Sequence, residues 1–293
     1  MINDEEFLAL FTSEDGRLDT GDLQFYDDFA QKKELFGTYV KFDSSTQFMH
    51  FVNRELPELL GEQTAVYRGL SSGRYRLFNK AQRAFITSGR NDPKDEKSYH
   101  AGISALINNA RSVNNCVLPK FFKATGLKDS HLSILSFLQH YGSPTPFMDW
   151  TTDPFVALFF AIMSMTNTEI DNYHMGPVDR GIEDYFSLNI LIKDQALNQF
   201  NEFKQLRSTK SGSIEHARLK KKKFQFIEEM YKSGKPSFSL VNNLHIVNQK
   251  GLFIYNSSTF GRGFLQTLES LLFNEYGIRA KNTTVTAHLY RYT

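Results

Sequence analysis

An α+β fold is what this sequence predicts, and three observations predict it. Short runs rich in β-branched and aromatic residues, at 64–70 (TAVYRGL), 185–193 (YFSLNILIK), 251–255 (GLFIY) and 284–292, read as strands. Between them lie stretches with helical apolar spacing, without the regular alternation of a βαβ array. The chain has no internal repeat and no low-complexity tract.

The elements follow in order. Residues 1–43 read as a separate amphipathic helical extension, with Phe7, Leu8, Leu10 and Phe11 at helical spacing and a turn at Asp15-Gly16. The remaining residues, 44–293, are expected to form the main domain. Asp43-Ser44-Ser45 caps a helix reaching residue 60, with a stripe through Phe48, Phe51, Val52 and Leu56. After the strand at 64–70, residues 77–112 are polar and partly helical, broken at Asn91-Asp92-Pro93. Residues 131–139 form a helix with Leu132, Leu135, Phe137 and Leu138 inward. A helix apolar enough to be buried follows Pro154, and 166–184 is loop-like. Residues 213–231 read as a helix carrying the basic run Arg218–Lys223, 237–247 as strand and 263–276 as helix.

Composition bounds the function. With 293 residues, 41% hydrophobic and 23% charged, the chain has the make-up of a globular protein. Its 27 phenylalanines exclude a disordered chain. A net charge of +2 is too small to declare a nucleic-acid or membrane partner. Cys116 is the only cysteine, so no intrachain disulfide and no cysteine-based zinc site can form. The start, MINDEEFLALF, lacks the layout of a signal peptide, and no apolar run reaches the ~18 residues that span a bilayer. A cytoplasmic location is expected.

Chemistry concentrates in residues 139–161, QHYGSPTPFMDWTTDPFVALFFA. His140, Tyr141, Gly142, Pro144, Thr145 and Pro146 form a rigid polar turn. Asp149, Thr151, Thr152 and Asp153 are all good N-cap types, and Pro154 suits the first helical position. Amides at such a helix start favour anionic ligands. Polar side chains in this setting must be held and satisfied, which marks the stretch as a site.

Three blocks of the sequence carry a resemblance. VYRGL (66–70), the 139–161 stretch and Gln249-Lys250-Gly251-Leu252-Phe253 resemble the FRG domain, named for its Phe/Tyr-Arg-Gly motif, over about residues 43–280. The middle block is the specific one. Pro146 stands where the family usually has Arg, and the tail RAKNTTVTAHLYRYT lacks the family's acidic, proline-containing ending. The order of the blocks is also similar to that of mono-ADP-ribosyltransferases: a Tyr-Arg-Gly strand, a Ser/Thr-rich strand end leading into an apolar helix, then a late strand opened by an acidic residue. This resemblance implies a mixed, mostly antiparallel split sheet with flanking helices and an NAD co-substrate. It places Arg68, Asp149 and Gln249 in catalytic roles. It places Tyr67, Gly69, His140, Tyr141, Thr145, Thr151 and Thr152 against the substrate, and it calls for no metal.

The residue types suit that chemistry. A strand-end Arg makes bidentate contacts to a diphosphate. Thr hydroxyls in a fixed turn hold ribose or carboxamide. A carboxylate stabilises the positive charge that develops when the nicotinamide–ribose bond breaks. Gln249 supplies no charge, which leaves Asp149, or Glu228 and Glu229, for that role. The implied partners are a nucleotide, a protein or nucleic-acid acceptor and a neutralising protein, with no membrane. A stand-alone enzyme of this type is expected to be a bacterial toxin or anti-phage effector. Two other readings stand beside it. One is a non-catalytic nucleotide- or nucleic-acid-binding module; the other is a magnesium nuclease on Asp149, Asp153 and His140, against which the lack of a third acid counts.

Each residue also has a plainer structural role available. Arg68 can pair with Asp149; His140 suits a helix C-terminus. A lone Trp such as Trp150 usually fills a core. Thr151 and Thr152 can cap the next helix, and Gln249 can satisfy backbone groups beside Gly251. Arg218–Lys223 can be a solvated face. His131, His174, His216 and His245 show no metal-ligand spacing.

Overall fold

A computed structural model describes residues 24–36, 38–88, 95–112, 117–126, 129–163, 180–193, 224–227, 230–232, 235–238, 249–256, 260–261, 264–265, 267–269 and 284–291. In chain order the elements are α1 (Phe29–Leu35), β1 (Thr38–Phe42), α2 (Ser45–His50), a π-turn (Phe51–Glu55), α3 (Leu56–Leu60) and β2 (Ala65–Leu70). Next come α4 (Lys80–Thr87), α5 (Glu96–Ser112), α6 (Val117–Thr125), α7 (His131–His140), β3 (Phe147–Thr151) and α8 (Pro154–Met163). A 3₁₀ turn (Ile182–Asp184) precedes β4 (Tyr185–Ile192). The remainder is β5 (Phe224–Ile227), β6 (Met230–Lys232), β7 (Lys235–Phe238), β8 (Gly251–Asn256), β9 (Phe260–Gly261), β10 (Phe264–Leu265) and β11 (Thr284–Tyr290). Helices and mostly antiparallel strands of this kind make the fold α+β. The chain divides into two units: Met1–Arg76 with Trp150–Gly212 and Glu269–Thr293, and Leu77–Asp149 with Ser213–Leu268.

In the first unit the strand order is β1-β11-β4-β2, followed by the end of β3. β1 runs parallel to β11, and β11, β4 and β2 pair antiparallel in turn. The last residue of β3, Thr151, pairs with Tyr67. Successive strand residues face opposite sides, so this register sorts the sheet into two faces. One carries Tyr67, Leu188, Ile190, Ile192, Val285, Ala287 and Leu289, and packs against Phe48, Phe51, Val52, Leu56 and Leu60 of the 45–60 segment and Ala157 of α8. Burying each large side chain here contributes about 1.5–3 kcal/mol before entropy is charged against it. The other face carries a polar band among Val66, Leu70 and Leu191: Arg68, Asn189 and Thr286 share one row, and Ser187 and His288 pair in the next.

The 45–60 segment is helical, as its apolar stripe predicts, but it widens into a π-turn before Leu56-Pro57. Pro57 has no N–H for the helical ladder, and the widened turn takes up that break. The segment ends at Gly61, whose φ of +56° suits glycine.

In the second unit, Ile107 of α5, Leu118 and Phe122 of α6, Ile134 and Leu135 of α7, Phe147 of β3 and Phe253 of β8 form one core. The Phe147 and Phe253 rings stack with centroids 5.1 Å apart. A second cluster joins Phe78, Ala81, Phe85, Ile86, Tyr99 and Leu265. β8 lies between β5 and β3.

Several expectations change. Residues 224–227 and 230–232 are strands, not the end of a helix, the first of them paired antiparallel with β8; the run Arg218–Lys223 lies outside the described residues. Phe264–Leu265 pairs antiparallel with Phe260–Gly261 where a helix from 263 was expected. Phe147–Thr151 is a strand, so the cap of α8 is Asp153, whose Oδ1 accepts from the Phe155 amide at 2.9 Å. On α7, Leu135 is buried together with Ile134, while Leu132, Phe137 and Leu138 are half-buried. α8 is not a buried helix. Ala157 and Ala161 are buried, while Phe155 and Phe159 are 46% and 56% exposed. The sheet's apolar face is met by Ala157, with Leu158 packed beside it. The strand Thr38–Phe42 falls within the stretch read as a helical extension, and the apolar residues 7–11 lie outside the described residues.

Candidate functional site

β2 carries the Tyr-Arg-Gly motif, and each of its three residues meets a different environment. Gly69 lies against α8. A Cβ built on it would sit 1.8 Å from the Ala157 carbonyl oxygen and 3.0 Å from the Ala161 Cβ. The glycine is therefore a close-approach position between strand and helix. Tyr67 is buried on the apolar face, and its phenol is held above its ordinary range by burial and, secondarily, by the Asp153 carboxylate. Arg68 projects to the polar face, where Asn189 Nδ2 donates to its carbonyl at 3.4 Å. Thr286 Oγ1 donates in turn to Asn189 Oδ1 at 3.1 Å. Because Thr151 pairs with Tyr67, sheet parity puts Thr151 and Arg68 on opposite faces. Thr151 is buried, and its Oγ1 accepts from the Asp153 amide at 3.1 Å; Thr152 is exposed. Trp150 is 4% exposed, and its indole N–H has no hydrogen-bond partner among the described residues.

In the second unit the polar turn is laced down on both sides. Gly142, at φ +77°, closes α7 by donating to the Gln139 carbonyl at 3.2 Å, and Ser143 donates to the Leu138 carbonyl at 3.1 Å. Lys80 Nζ donates to the Gly142 carbonyl, and the Ala81 amide donates to the Thr145 carbonyl at 3.0 Å. Pro146 is buried.

Inside this turn runs a directed chain of hydrogen bonds. The Phe147 amide donates to Thr145 Oγ1 at 3.3 Å, and that hydroxyl donates to Gln139 Oε1. With its oxygen so engaged, Gln139 presents its Nε2 to Asp149 Oδ2 at 2.9 Å. Thr145 is fully buried while Asp149 is exposed. The chain thus anchors an outward carboxylate on interior backbone. Gln139 was not among the residues singled out from sequence. Its signal was its place at the head of the same block, six residues before Thr145 and ten before Asp149.

His140 and Tyr141 are exposed at the end of α7. The His140 ring lies 5.8 Å from Phe253 and the Tyr141 ring 4.7 Å from Phe137. Gln249 is half-buried in the turn that opens β8, where Lys250 adopts φ +48°. The structure thus gathers Tyr67, Gly69, Thr151 and Thr152 about the start of α8. His140, Tyr141, Thr145 and Asp149 gather about the polar turn. Arg68 stands on a separate face. Among the described residues no group of three or more His, Cys, Asp or Glu lies together as a metal site, and no helix is long and apolar enough to cross a membrane.

A second buried constellation escaped the sequence, because its members are far apart along the chain. The Tyr26 hydroxyl donates to Glu269 Oε1 at 2.5 Å. Lys32 Nζ, fully buried, donates to the Gly73 carbonyl at 2.7 Å and to Ser187 Oγ at 3.0 Å. Burial pushes the Lys32 ammonium down to about 7, with Glu269 opposing.

Comparison with curated proteins and with solved structures found no match. Comparison with protein families found one, the FRG domain, over residues 63–169, which takes in β2, the polar turn, β3 and α8. Residues 63–169 of this chain are an FRG domain.

Proposed function

We propose that the FRG domain is an NAD-using enzyme of the ADP-ribosyltransferase kind, with Asp149 as its working carboxylate. The observation that carries this reading is the exposed Asp149 carboxylate held in one orientation by Gln139 and Thr145. Cleavage of the nicotinamide–ribose bond sends the bonding pair to nicotinamide and leaves positive charge on the ribose. A preorganised carboxylate stabilises that charge without reorganising. Asp149 thereby takes the place that an acidic residue at 249 would otherwise fill. A nucleophile from a macromolecule, or water, then attacks the ribose carbon. Acting on a host macromolecule, such an enzyme would serve as a toxin or anti-phage effector with a neutralising partner.

The test is incubation with NAD labelled in the ADP-ribose moiety, with and without cell lysate. Nicotinamide release that falls about 100-fold or more in Asp149→Asn, and partially in Gln139→Leu, supports the reading. Absence of nicotinamide release, label transfer and NAD binding by calorimetry would sink it. A second reading, a nucleotide-binding module without turnover, draws on Arg68 and Thr151 lying on opposite faces and on the neutral Gln249. NAD binding that depends on Arg68 and survives Asp149→Asn, with no product, favours that reading.

A further inference from the structure

We propose that α1 is a proton-controlled latch on the first unit: a proton taken up by His288, beside Lys32, releases α1 from the sheet. The geometry begins with His288, which is fully buried in β11. Neither ring nitrogen makes a hydrogen bond of ordinary geometry among the described residues, nor does the buried Tyr39 hydroxyl, whose ring lies 4.9 Å away. A buried imidazolium needs acceptors for two N–H groups.

α1 is held to the first unit by three of its residues, one of them Gln31, whose Oε1 accepts from the buried Arg76 Nη2 at 3.1 Å. Phe29 packs edge-on against His288 at 5.6 Å and against Tyr185 at 5.2 Å. Lys32 donates to Ser187 and Gly73. His288 has the same two neighbours: it pairs with Ser187 in the sheet register, and a Cβ on Gly73 would lie 2.9 Å from its Cδ2.

Among the described residues the charged groups facing His288 are all positive. They are Lys32 from α1 and Lys41 from β1. The carboxylate that faces Lys32, Glu269, also takes the Tyr26 hydroxyl. Asp43 takes the Tyr185 hydroxyl at 2.5 Å and pairs with Arg180 at 3.4 Å. Burial first, then Lys32 and Lys41, hold His288 well below the usual histidine range, with the Val40 backbone working the other way. A proton added here places an imidazolium among two ammoniums and three aromatic rings. Undocking α1 carries Lys32 and Phe29 away and opens the ring to water. α1 is seven residues long, so it has little helical stability apart from this docking.

The sign follows from linkage. The undocked state binds the proton near pH 6.5 and the docked state does not. His288 therefore adds nothing to undocking above that pH and up to tenfold per unit below it, about 30-fold at pH 5; Lys32, freed in the undocked state, adds its own dependence between about 7 and 10.5, which is essentially complete by about pH 6.

The experiment is amide hydrogen exchange on the full chain between pH 7.5 and 5, corrected for the intrinsic rate and read segment by segment. Between pH 6 and 5 protection of residues 29–36 should fall about eightfold, while Phe48–Leu60 and Tyr185–Ile192 keep theirs. In His288→Leu the α1 profile should be flat below about pH 6, where Lys32 is protonated both docked and undocked. PH-independent protection of α1 would overturn the proposal, as would loss of protection in β4 and the 45–60 segment together with α1. Should His288→Leu not fold, the wild-type profile decides by itself.

Discussion

Replacing Gly69 with alanine tests the packing logic of the motif. The added Cβ would lie 1.8 Å from the Ala157 carbonyl oxygen and 2.7 Å from its carbon, both backbone atoms of α8. No rotamer change relieves a backbone clash. Bringing the 1.8 Å contact to an ordinary separation of 3.4 Å takes a shift of about 1.6 Å between strand and helix. Such a shift opens the packing of Ala157 against Tyr67 and Leu188. Overpacking of a well-filled core costs about 1–3 kcal/mol, and a clash with backbone belongs at the top of that range or above. The expected loss is therefore at least about 3 kcal/mol. The assay is urea unfolding followed through Trp150, the only tryptophan, which is 4% exposed at the end of the neighbouring strand. A Gly69→Ala protein within about 0.5 kcal/mol of wild type would refute the reasoning, and the glycine would then need another explanation.

Three further outcomes are expected. Gly102 sits inside α5 with nothing within 4 Å of a built Cβ, so Gly102→Ala should raise thermal stability by about 0.5–1 kcal/mol by calorimetry. Tyr26→Phe removes the hydroxyl that the buried Glu269 accepts from, and should cost about 1.5–3 kcal/mol in urea unfolding. Lys32 titrates at about 7 folded and near 10.5 unfolded, so between those values the unfolded chain holds the extra proton and stability rises with pH. Relative to Lys32→Met, wild type should therefore gain on the order of 5 kcal/mol across that window, at 1.36 kcal/mol per unit. Parallel stability–pH curves for the two proteins would contradict the burial of a titrating lysine.

Much of this was legible in the sequence because it is local. The strands at Ala65–Leu70, Tyr185–Ile192, Gly251–Asn256 and Thr284–Tyr290 have period-two or continuous apolar patterns that depend on nothing distant. The FRG motifs were visible as contiguous blocks, and the middle one marked the Thr145–Asp149 turn before its hydrogen bonds were known. Legibility failed where neighbours in space decide. Residues 224–227 fall in a stretch that reads as the end of a helix and pair with β8 instead, since strand pairing joins segments 26–32 residues apart.

By itself, then, the sequence determined the α+β class and the place of the polar turn, because spacing, turn residues and motif identity are properties of short segments; that Gly69 packs against α8 came only with the structure. Only the tertiary structure decided that Arg68 and Thr151 look to opposite faces. It alone decided that α8 buries its alanines rather than its phenylalanines. It alone joined Lys32 to Ser187 and buried His288 beside that pair. Those outcomes rest on sheet register and on burial between residues up to hundreds of positions apart, and no local pattern encodes which side of a strand meets water.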